Sequence, residues 1–95
     1  MVISMIQLII EIPDIESIKE KRRIVTSLRE KLRIKFRISV AEVDLQDSLR
    51  FSQIGGAVVS NSKRFGEEIM MKVLSFVENE VPGRIQDVQI RSEIY

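Results

Sequence analysis

Three carboxylates, Glu42, Asp44 and Asp47, fall within six residues of one another. Acids at such spacing can hold a divalent cation or divide proton-transfer work between them, provided that they converge in a cleft. The chain contains no histidine and no cysteine, which removes imidazole and thiolate nucleophiles, the common zinc sites and the usual general base near neutral pH. Metal or hydrolytic chemistry would therefore rest on carboxylates and lysines alone. Strand alternation sends Glu42 and Asp44 to one face, yet capping, turn bonds and an ion pair with Lys21 account for these acids more simply than a reaction does. The chain reads as non-enzymatic, with no catalytic residue, no metal site, no cofactor and no small-molecule substrate. Gly55 and Gly56, an isolated pair, are too little to form a phosphate loop.

The stronger chemical feature is cationic. Nine of the fifteen basic residues and two of the fourteen acidic ones lie between Ser17 and Arg37, so this segment carries about +7 and the remainder about −6, beneath a net charge of +1. Closely spaced lysines and arginines on a firm support bind phosphates through counterion release without reading any base. Arg22, Arg29 and Arg33 fall in one helical band, extended by Arg23 and Lys19, and these five are the candidate RNA phosphate contacts. The alternative is a solvated helix face that only maintains solubility. Lys19, Lys21 and Arg22 stand in or just beyond the first helical turn, where the dipole disfavours exposed cations by roughly 0.3–1 kcal/mol each, a penalty that an anionic partner would offset.

These residues need a scaffold, and the pattern supplies one. Ile6, Leu8, Ile10 and Ile12 alternate with Gln7, Ile9 and Glu11 in a first strand that Pro13 and Asp14 end. Ser17 and Glu20 have capping-box spacing, and Ile18, Ile24, Val25, Leu28 and Leu32 form the apolar stripe of a helix near 18–34. Lys21 lies near the middle of that stripe. A buried lysine needs a carboxylate or must shed its charge, so an ion pair of Lys21 with Glu42 is expected. Phe36 to Val43 favours a second strand, followed by a polar connection over 44–51 and a buried strand, Ile54 to Ser60. Asn61 and Ser62 are cap candidates for a helix near 62–79, whose core residues include Phe65, Ile69, Val73, Phe76 and Val77. Pro82 and Gly83 turn the chain into a last strand bearing Ile85, Val88 and Ile90. Strand, helix, strand, strand, helix, strand is the order of the ferredoxin-like α+β sandwich, with strand order 4-1-3-2, both helices on one face, and the whole of residues 1–95 in one domain.

The runs Glu16 to Arg29 (ESIKEKRRIVTSLR), Ser39 to Asp47 (SVAEVDLQD) and Ala57 to Asn61 (AVVSN) resemble the YlxP-like family of small bacterial proteins. The resemblance covers nearly the whole chain. It implies a ferredoxin-like fold, no settled activity, and genes that neighbour those for translation initiation and ribosome maturation, hence ribosomal RNA or a ribosomal particle as partner. Leu45 stands where a histidine is frequent in the family, which argues against a general mechanism requiring an imidazole there.

Two other proteins with this fold mark what the chain lacks. RNA-recognition motifs stack bases on aromatic rings of the middle strands; here Phe65 and Phe76 belong to a helix, Phe36 opens an edge strand, Phe51 is near a loop and Tyr95 is terminal. Acylphosphatases cradle phosphate in a glycine-rich loop after the first strand, where this chain has the acidic stretch Pro13 to Ser17. The open sheet face, with Met5, Ile9 and the valines of the third strand, favours a homodimer through that face or through a strand edge. Met1 to Ile12 lacks a basic leader and a cleavage site, and no run approaches the ~18 apolar residues of a membrane span, so the expected compartment is the cytoplasm, with no membrane partner.

Overall fold

A computed structural model describes residues 1–81 and 83–95. Its elements are β1 (Val2–Glu11), α1 (Ile18–Phe36), β2 (Ser39–Asp44), β3 (Phe51–Ser60), α2 (Lys63–Glu80) and β4 (Arg84–Ile94). They build a four-stranded sheet of order β2-β3-β1-β4, every neighbouring pair antiparallel. This is the ferredoxin-like sandwich and the strand order read from the sequence. Of the turn assigned to Pro82 and Gly83, Pro82 lies outside the described residues.

The strand period sorts side chains onto two faces. Ile6, Leu8 and Ile10 of β1 and Ile54 of β3 turn inward and are buried against Val25, Leu28 and Leu32 of α1 and Met70, Val73 and Val77 of α2. The odd-numbered positions of β1 and β3 form the open face. Val58 belongs to the inner cluster, so of the third-strand valines only Val59 faces outward, 62% exposed.

Both helices begin as their sequences dictate. Ser17 Oγ accepts from the Glu20 N–H (3.1 Å) and Glu20 reaches back to the Glu16 N–H (3.3 Å), one residue earlier than in the standard box. Ser62, not Asn61, caps α2, accepting from the Phe65 N–H (3.2 Å). The end of α1 differs from expectation. Phe36 is its last residue rather than the start of β2, because the helix continues until Arg37 enters the left-handed region (φ 53°) and donates to the Arg33 carbonyl (3.0 Å). Phe36 then meets Phe76 of α2 edge to face, with centroids 5.8 Å apart. β3 likewise starts at Phe51, three residues before the apolar run that predicted it.

α2 approaches the sheet closely at Gly66. A Cβ built there would lie 1.8 Å from Ser4 Oγ and 2.6 Å from Ser4 Cβ. Ser4 is fully buried and shares a hydrogen bond with Ser92 (Oγ to Oγ, 2.6 Å), so it has little freedom to yield. Gly66→Ala is expected to lower stability by about 1–3 kcal/mol through overpacking, seen as a lower urea midpoint at unchanged slope. An unchanged midpoint would show that α2 can lift away from β1 without cost.

Candidate functional site

Lys21 projects from the buried stripe of α1 and is 1% exposed. Its ammonium faces three acceptors: Glu42 Oε2 at 3.3 Å, the Leu45 carbonyl at 2.6 Å and the Ser48 carbonyl at 2.5 Å. Glu42 in turn accepts a hydrogen bond from the buried Ser52 hydroxyl of β3 (2.5 Å). The ion pair expected from helical angle and strand parity is present; the two carbonyls were not foreseen. They are aimed inward by a turn in which Leu45 adopts φ 64° and its carbonyl also accepts from the Ser48 N–H (3.0 Å). Lys21 and Glu42 are thus occupied within the fold, and Leu45 contributes to the site through its backbone carbonyl.

The acidic group does not converge. A register shift between Glu42 and Asp44 sets Glu42 opposite Ile54, on the inner face, and Asp44 opposite Gln53, on the open face. Simple alternation, which puts both on one face, fails because Val43 is the extra residue of a bulge. Asp44 Oδ1 accepts from the Leu45 N–H (2.8 Å), and Asp47 is exposed. Val43 leans across β3 instead: a Cβ on Gly55 would lie 2.9 Å from its Cγ1, which is the close approach that the glycine pair permits.

The cations of α1 divide by what they touch. On the flank toward α2, Lys31 pairs with Glu80, and Lys35 Nζ sits 5.2 Å from the centroid of Phe76. Because that flank meets α2, the band of Arg22, Arg29 and Arg33 lies on the other side of the helix, along the β2 edge of the sandwich. The band spans about 40° at 100° per residue. Arg22 is exposed, and Arg29 is half-buried, its Nε shielded from solvent without a protein acceptor. Arg33 is exposed but bonded to Glu30 (NH2 to Oε2, 2.8 Å). That bond and the Arg33 charge hold the Glu30 carboxyl below the usual carboxylate range, and the same bond raises Arg33. Lys19 lies about 60° round from Arg22. Arg23 stands farther off, about 100° round, and lines a groove of about 300 Å³ between the helices with Ser27, Lys31 and Glu80. Among the described residues, Lys19, Arg22, Arg23 and Arg29 have no carboxylate within ion-pair distance.

The open face is shallowly dished. Met5, Gln7, Ala41, Val43, Gly55 and Ala57 surround a depression of about 310 Å³. Met5 and Ile9 are half-buried within the single chain, while Val43 and Val59 are exposed. The rim is charged: Arg91 stands opposite Met5, Asp87 opposite Ile9, and Arg50 pairs with Glu11.

Fold and surface together define a ferredoxin-like sandwich with one strongly basic helix and an uncovered sheet. Within that class the chain belongs to a family described as a protein of unknown function (DUF503), whose model matches residues 3–90. It is similar to the uncharacterised protein YlxP of Bacillus subtilis (strain 168), with 32% identity over 66 residues, 70% of this chain and 72% of that one.

Removing one member of a buried ion pair leaves the other desolvated, at a cost of about 3–5 kcal/mol. Lys21→Met should lose stability on that scale by chemical denaturation, and the Lys21→Met, Glu42→Leu double variant should lose clearly less than the two single changes added together. Strict additivity would mean that the two charges are not coupled.

Proposed function

We propose that the protein is a non-enzymatic, cytoplasmic binder of RNA phosphates, acting through α1 on ribosomal RNA or a ribosomal particle. The observation that carries this reading is the number of cations on α1 that the fold does not use. Arg22, Arg29, Lys19 and Arg23 have no carboxylate partner among the described residues. The fifth contact, Arg33, holds Glu30 in an exposed pair. Exposed pairs contribute little and exchange readily for a phosphate. A rigid helix presenting such a band matches backbone binding, which needs charge density and not base readout. The middle strands fit that mode: their outward positions are Ile3, Met5, Gln7, Ile9 and Glu11 on β1 and Phe51, Gln53, Gly55, Ala57 and Val59 on β3, so the single ring is Phe51, at the end of the face and 5.6 Å from the Arg50 guanidinium, with no second ring to build a stacking platform. The translational context rests on the gene neighbourhood that accompanies the family resemblance.

A second reading is favoured by the open face. An uncovered sheet surface carrying a depression lined by Met5, Ala41 and Val43 suits a dimeric protein-interaction module, in which α1 only maintains solubility.

The two readings part on salt. Filter binding of ribosomal RNA over a range of salt concentrations is expected to give a steep slope, and each lost phosphate contact lowers it by about one unit. Replacing Arg22, Arg29 and Arg33 together by Glu should reduce the slope by about three units and weaken binding alike across RNA sequences, with the circular dichroism unchanged. A triple variant that folds and binds with the same affinity and slope would leave the helix a solvated face and favour the interaction module.

A further inference from the structure

The two edges of the sheet are built differently. β2 is six residues long, carries Glu42 and Asp44, and is broken by the register shift between them. Shortness, charge and a bulge are the devices that keep an edge from accepting another strand. β4 is eleven residues long, and its outer side pairs with no element among the described residues. Its one irregularity lies opposite Ile9 and Ile10, near its start, which leaves Asp87 to Ile94 in regular register with β1. On the open face this run presents Asp87, Gln89, Arg91 and Glu93 at alternate positions. Between them Val88 and Ile90 turn toward the helices and are only half-buried against the core.

Among the registers that pair Asp87 across the seam, this outer edge is complementary to itself in one; an axis at Ser92 also sets Arg91 against Glu93, but it pairs only residues 89–95 and leaves Asp87 and Val88 outside. Two antiparallel edge strands related by a twofold axis normal to the sheet must pair residues that share a face, so the axis passes through a residue. An axis at Asp87 or Arg91 sets that charge against its own copy. At Ile90 it sets Asp87 against Glu93, and at Val88 it sets Ile90 against Gln86 and leaves Arg91 without an acid. At Gln89 every central pair matches: Asp87 meets Arg91 of the second copy, Arg91 meets Asp87, Val88 meets Ile90, and the two Gln89 amides face each other. Opposite charges directly across a strand pair stabilise it, and like charges destabilise it.

We propose that the outer edge of β4 binds a second copy of this chain, antiparallel and centred on Gln89, so that two four-stranded sheets join into one of eight strands. α2 packs on β1 and β4, so the two α2 helices come to lie about two strand spacings apart, roughly 10 Å, a distance at which helices pack. The half-buried Val88 and Ile90 gain apolar neighbours. α1 takes no part in the contact, which makes the pairing independent of phosphate binding.

The absence of cysteine from the chain permits a clean test with the full-length protein. Gln89→Cys places two thiols on the axis, within reach of a short bismaleimide, whereas Val59→Cys places one on the same face but on β3, with β1 between it and the β4 edge. Cross-linking through residue 89 and not through residue 59 is the expected result; the reverse pattern, or none with either, overturns the proposal. In sedimentation equilibrium, Asp87→Arg and Arg91→Asp should each weaken self-association by about ten-fold or more, and the two together should restore it. Unchanged association in the single variants, or a wild-type protein that is monomeric at all concentrations, also overturns it. Should a charge variant fail to fold, the cysteine pair decides alone.

Discussion

One buried ammonium fixes the relation between the basic helix and the sheet. Lys21 lies in the middle of a stripe otherwise made of Ile, Val and Leu, and an unpaired cation there would cost several kcal/mol. Its three acceptors come from the end of β2 and from the connection that follows, and Glu42 is held from β3 by Ser52. A single side chain therefore ties α1, β2, the turn and β3 together at one end of the molecule. Leu45 accepts a left-handed backbone, at a cost of about 1–2 kcal/mol for a residue other than glycine, so that its carbonyl can face the lysine. With Lys21 committed inward, the outward arginines inherit a fixed orientation.

The fold was legible in the sequence to the extent that local chemistry and periodicity determine it. Ser17 with Glu20 marks the start of α1 because both side chains satisfy backbone groups nearby, and the alternation from Ile6 to Ile12 marks β1 because one face is wholly apolar. The Lys21 to Glu42 contact was legible too, since helical angle and strand parity converge on it. What escaped was set by backbone conformation. Neither the left-handed turn at Leu45 nor that at Arg37 carries the usual glycine, so the carbonyls around Lys21 and the last turn of α1 left no mark, and the β propensity of Phe36 to Val43 marks β2 correctly but places its start three residues early. The bulge at Val43 was invisible for the same reason, and with it the separation of Glu42 from Asp44.

The surface of α1 was legible as charge but not as partnership. Glu30 to Arg33 is an i, i+3 spacing visible in the sequence, and Lys31 to Glu80 required knowing which flank meets α2. The band that remains is less continuous than helical spacing suggests: Arg33 is occupied, Arg29 is half-withdrawn, and Arg23 belongs to the groove between the helices.

The antiparallel packing of the two helices sorts charge along the length of the molecule as well as onto α1. At one end lie Asp14, Glu16, Asp44 and Asp47 in loops and Glu78 and Glu80 at the close of α2, interspersed with Lys19, Arg22, Arg23, Arg50 and Arg84; at the other lie Arg33, Lys35, Arg37, Lys63 and Arg64, with Glu67, Glu68 and Glu93 near them. In the last turn of α1, with Arg33 and Lys35, this order agrees with the helix macrodipole, while Lys19, Arg22 and Arg23 at the start of the helix oppose it. In α2 it runs against it, with Lys63 and Arg64 opening the helix and no basic residue in its last turn. The end-to-end polarity thus holds even where it opposes local helix electrostatics. A molecule of net charge +1 whose ends differ in charge in this way feels a torque in the field of a polyanion before any contact forms, which turns the more basic pole forward in the encounter.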